Sequence, residues 1–109
     1  YEPANLAICG EEYGPPTLQR FQPHLFNVYL QNHAPDDDGD TMMTTWTRGE
    51  VNSRLYPLEG KGGIHFDRVF EGLHAIGYDG YVTLHQAFIG DLAPDESARR
   101  SADFLRSFL

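Results

Sequence analysis

The chain's 109 residues, 40% hydrophobic and 22% charged, suffice for one modest core and leave little room for a second domain. Eight Lys and Arg against sixteen Asp and Glu give a formal net charge of −8, which repels phosphate backbones and argues against nucleic-acid binding by the chain as a whole. No apolar run approaches the ~20 residues that cross a bilayer, so membrane insertion is not expected. The single Cys9 cannot form an internal disulfide and points to a reducing, cytoplasmic setting. The chain opens on Tyr1-Glu2-Pro3 without a Met or a signal-peptide pattern, and so reads as a fragment or processed piece.

In chain order, Pro15-Pro16 leads into Thr17 to Gln22, where Leu18 and Phe21 share a helical face and Pro23 stops the helix. Leu25 to Gln31 is rich in β-branched and aromatic residues with no charge, the composition of a strand buried on both faces. From His33 to Tyr56 no period is sustained; the stretch reads as a long loop, opened by the solvated Asp36–Asp40 turn and packed down by Met42, Met43 and Trp46. Phe66, Val69, Phe70, Leu73 and Ile76 then mark an amphipathic helix that Gly77 ends. Tyr81 to His85 is a second strand-forming run, and Pro94, with Asp95 and Glu96 in the first turn, opens a last helix striped by Ala98, Ala102, Leu105 and Phe108. Strands alternating with helices imply a parallel sheet covered by helices.

Several segments resemble the sugar phosphate isomerase/epimerase family of xylose isomerase-like barrels, whose relatives include apurinic endonucleases. Tyr1-Glu2-Pro3-Ala4-Asn5-Leu6 followed by Gly10-Glu11-Glu12 resembles the end of the sixth strand, often Asp-Pro-Ala-Asn-Leu. Asn27 to Asn32 resembles the seventh strand, usually His-Val-His-Leu-Lys-Asp. Leu58 to Ile64 and the Gly77-Tyr78-Asp79-Gly80 element before Tyr81 to His85 resemble the turn, helix and eighth strand that follow. The resemblance implies the C-terminal part, about three βα units, of a (βα)₈ TIM barrel. Residues 1–109 would then form one fragment, with the remaining strands supplied by upstream sequence or by a partner chain, such as a homo-oligomer's second copy.

In that family the active site lies at the C-terminal ends of the strands, and a divalent metal is held by Glu, Asp, His and Glu. Here Glu2 stands at the Asp position, Tyr29 at the His position and His85 at the final Glu position. The resemblance therefore implies Glu2 and His85 as catalytic groups and as ligands of Mn, Co, Zn or Mg, with a metal-free site as the alternative. Asn5, Asn32, His33 and Arg54 are its implied substrate-binding residues. The implied activity is proton transfer next to the carbonyl of a small sugar or sugar phosphate. A non-catalytic carbohydrate-binding or scaffold barrel is the competing reading, favoured by the substitutions at Tyr29 and His85.

Overall fold

A computed structural model describes residues 1–86 and 89–109. Its helices are α1 (Pro3–Ile8), α2 (Pro15–Phe21), α3 (Phe66–Ala75) and α4 (Pro94–Arg106), and a 3₁₀ turn spans Gln22–His24. Its strands are β1 (Val28–Leu30), β2 (His33–Pro35), β3 (Thr41–Thr45), β4 (Gly49–Leu55) and β5 (Val82–Leu84).

Proline opens three of the helices, α1, α2 and α4, because its fixed φ suits the first helical turn and its missing N–H has no partner there. The α2 N-terminus receives a further device. The Glu12 carboxylate accepts hydrogen bonds from the Gly14 N–H at 2.7 Å, the Thr17 N–H at 3.2 Å and the Thr17 hydroxyl at 2.6 Å, which satisfies donors that a helix start leaves open. Glu12→Ala is expected to destabilise the protein by about 1 kcal/mol, the usual loss on removing a helix cap, as read from urea unfolding.

The parallel pairing expected from the strand-helix order is present. β1 and β5 run parallel in the register Val28↔Val82 to Leu30↔Leu84. On the other edge of β1, the Tyr1 ammonium donates to the Asn27 carbonyl at 2.9 Å and the Tyr29 N–H donates to the Tyr1 carbonyl at 2.9 Å. Both strands are shorter than their apolar runs, since Leu25 closes the 3₁₀ turn rather than joining the ladder.

The barrel reading is overturned. The described residues form two separate sheets, one of two parallel strands and one of three antiparallel strands in the order β2-β4-β3, beside four helices. Tyr1 to Leu6, expected as a strand end, turns helical from Pro3 onward. The stretch from His33 to Tyr56, expected as a loop, contains all three antiparallel strands. A tight turn through Trp46 to Arg48 joins β3 to β4, with Gly49 at φ +70 where an L side chain would be strained. Trp46 does not pack the segment down: it is fully exposed at the tip of this hairpin.

The core joins these parts. Leu18, Val28, Leu30, Leu58 and Val69 are fully buried between α2, α3 and the parallel pair. α4 adds an aromatic seam, with Phe108 stacked on Phe70 at 4.6 Å and Phe104 edge-on to Phe66 at 5.8 Å. No helix among the described residues is long and apolar enough to cross a membrane.

Candidate functional site

Carboxyl ends of parallel strands gather side chains from distant parts of a sequence, and here they gather Glu2, Gln31 and His85. Tyr1 is bonded along β1, so Glu2, the next residue, stands beside the end of that strand. Gln31 follows β1 directly, and His85 follows β5, its N–H donating to the Leu30 carbonyl at 2.9 Å.

The Glu2 carboxylate is the centre of the cluster. Its Oε1 lies 3.1 Å from His85 Nδ1 and also accepts a hydrogen bond from Gln31 Nε2. Its Oε2 accepts from Asn5 Nδ2 at 2.9 Å, one turn along α1. The Glu2 side chain is only 16% exposed, whereas that of His85 is 63% exposed. A sheltered anion thus backs an imidazole that faces solvent. The Tyr29 ring packs edge-on against His85 at 6.1 Å and remains partly open to solvent.

The other expected site residues are engaged elsewhere. Asn32 is completely buried: Nδ2 donates to the Pro57 and Gly62 carbonyls, and Oδ1 accepts from the Ile64 N–H. His33 is buried with Nε2 at 2.8 Å from Ser53 Oγ. Ser53 gives its hydroxyl proton to the Thr41 carbonyl at 3.0 Å, so His33 Nε2 is the donor in that contact and ties β2 to β4. Arg54 pairs with Asp36 at 2.7 Å and also donates to the Asp38 carbonyl, pinning the acidic turn to β4. Gln31 was not singled out by the sequence. Its only signal was a polar side chain ending an otherwise apolar strand run.

The described residues supply half of the implied ligand set. Among the described residues no three His, Cys, Asp or Glu side chains converge on one point. Glu2 and His85, 3.1 Å apart, are two of the implied four ligands, and a Gln31 amide proton engages the Glu2 oxygen between them.

Three groups outside the pair make stability depend on pH in one direction. Burial lowers the His33 pKa below its ordinary 6.5, with the Glu2 charge opposing. The Thr17 hydroxyl, then the Gly14 and Thr17 N–H groups and Arg68, hold Glu12 below its ordinary 4.5. Hydrogen bonds from Arg54 and then Tyr56 hold Asp36 below its ordinary 3.8. A depressed folded-state pKa means that the unfolded chain binds more protons, so each contribution is complete above the ordinary value and is lost as pH falls through the folded one. The urea midpoint is therefore expected to be flat down to about pH 6.5, to decline gently below it as His33 takes effect, and to fall more steeply below about pH 4.5. A midpoint that rises on acidification from pH 6.5 would contradict this assignment.

Comparison with protein-family models, with curated proteins and with solved structures finds no match to this chain.

Proposed function

We propose that the Glu2–His85 pair is a proton-transfer site acting beside the carbonyl of a small polyhydroxylated compound, an isomerase or epimerase chemistry. The observation that carries this reading is a sheltered carboxylate hydrogen-bonded to a solvent-facing imidazole at the ends of β1 and β5. Histidine exchanges protons near neutral pH, and a carboxylate behind it orients the ring and stabilises the imidazolium that forms when it takes a proton. In one turnover His85 removes a proton from the hydroxyl-bearing carbon next to the carbonyl and the electron pair passes to the carbonyl oxygen as an enediolate; the imidazolium then returns the proton to that carbon, or to the former carbonyl carbon as the remaining hydroxyl proton passes to the other enediolate oxygen. Atoms and charge balance without an outside reductant or oxidant.

The barrel fold lends this proposal nothing, so its support is the chemistry of the cluster and the resemblance of the flanking residues. Engagement of Arg54 by Asp36 and Asp38 takes the implied phosphate-binding guanidinium, which favours a neutral polyol over a phosphate ester. The partly open Tyr29 ring would also suit sugar binding without chemistry.

The test is deuterium incorporation next to the carbonyl, followed by proton NMR in D₂O with glycolaldehyde, dihydroxyacetone and glyceraldehyde. Wild type is expected to accelerate exchange with at least one of them. Glu2→Gln and His85→Gln are each expected to reduce that acceleration by about 10²- to 10⁴-fold, the range for losing a general base or its partner. Folded wild-type protein that exchanges none of the three would refute the proposal, and saturable binding without exchange would replace it with a carbohydrate-binding role.

A further inference from the structure

Gln31 lies outside the reacting pair but touches its carboxylate, and the chemistry of the three groups fixes which histidine atom is free. An ionised carboxylate only accepts hydrogen bonds, so the atom of neutral His85 facing Glu2 Oε1, Nδ1, must carry the proton. The same oxygen takes a second donor, Gln31 Nε2, while Asn5 Nδ2 holds Oε2. Both carboxylate oxygens are thereby anchored from two different elements, α1 and the segment after β1, and Oε1 is held in place for the ring.

We infer that Gln31 is a positioning residue that pins Glu2 so that His85 is held as its Nδ1–H tautomer, with Nε2 as the proton-accepting atom toward solvent. The inference deepens the reading of Glu2 and His85 as a proton-transfer pair and rests on it for its functional meaning. The tautomer itself is independent of any substrate. The neutral histidine side chain in water prefers the proton on Nε2, so an Nδ1–H ring is a signature of the carboxylate's hold and not of histidine alone. The exposure of the ring makes this informative: among the described residues, the ring contacts of His85 are Glu2 and the edge-on Tyr29.

The experiment is long-range ¹H–¹⁵N correlation NMR of ¹⁵N-labelled full chain at pH 8, comparing wild type with Gln31→Met and Gln31→Ala. Met matches the length of Gln and keeps its packing without the amide donor. Wild type is expected to show the Nδ1–H pattern at His85. Both variants, with backbone amide spectra otherwise like wild type, are expected to shift the ring toward Nε2–H and to lower the deuterium exchange rate at least tenfold. His85 as Nε2–H in wild type overturns the inference, and so does an unchanged Nδ1–H pattern in Gln31→Met. An Nδ1–H ring that responds to Gln31 in a protein without exchange activity would leave the positioning role intact and refute the proposed reaction instead.

Discussion

Asn32→Ala is expected to lower the unfolding free energy by about 3 kcal/mol, enough to unfold a marginal domain of this size at moderate temperature. Asn32 is completely buried, and its side chain makes three bonds: to the Pro57 carbonyl at 3.0 Å, the Gly62 carbonyl at 3.3 Å and the Ile64 N–H at 2.8 Å. Its backbone adds two more, donating to Gln86 Oε1 and accepting from the Tyr56 N–H, each at 2.8 Å. One residue thus ties the end of β1 to the whole turn between β4 and α3. Truncation strands the buried Ile64 N–H, which costs about 1–3 kcal/mol, and also removes the bonds to the more exposed Pro57 and Gly62 carbonyls. Asn32→Asp is expected to be at least as damaging, because it replaces an amide donor with a carboxylate facing two carbonyl oxygens. Urea unfolding followed by circular dichroism measures both, and a loss under 1 kcal/mol for Asn32→Ala would show that the turn is held by other contacts.

Gly39→Ala is expected to cost about 3 kcal/mol, against about 1 kcal/mol for Gly49→Ala, although only the second glycine has a left-handed backbone. A Cβ on Gly39 would lie 2.1 Å from the Ser53 carbonyl oxygen, 2.4 Å from its carbonyl carbon and 2.8 Å from the Asp36 oxygen. All three are backbone atoms of a hydrogen-bonded sheet and turn, so none can move without breaking the pairing of β2 and β4 or the seat of Arg54 on Asp36. At Gly49 the φ is +70 but nothing lies within 4 Å, which leaves only the intrinsic strain of an L residue in that region. Side-by-side thermal and urea unfolding decides between them. The reverse order would mean that backbone strain, and not close approach, governs the antiparallel sheet.

Glu2, Asn5 and His85 were singled out by the resemblance of their segments, and the structure brings those three side chains into hydrogen-bonding contact. Asn32 and Arg54 came from the same patterns, but their bonds run into the protein: the amide of Asn32 is spent on backbone groups, and Arg54 on an acidic turn. Residue type alone does not distinguish these two destinations. Gln31 and Glu12 lie inside segments that carried the resemblance, but their contacts were missed because the partners stand 29 and five residues away in the chain.

What the sequence by itself determined are the short-range features. The apolar stripe of α3, the proline starts of α2 and α4, and the β-branched runs of β1 and β5 each express preferences set by sterics and side-chain direction within a few residues. The tertiary structure alone decided the sheet organisation. In Thr41-Met42-Met43-Thr44-Thr45 the inward residues Thr41, Met43 and Thr45 differ little in polarity from the outward Met42 and Thr44, so no period of two emerges. Those strands exist because β4 runs between β2 and β3 and supplies backbone partners to both, and because His33 and Ser53 lock the join. Pairing of that kind is a property of chain segments brought together in space, and for that reason the barrel inferred from local resemblance gave way to two separate sheets.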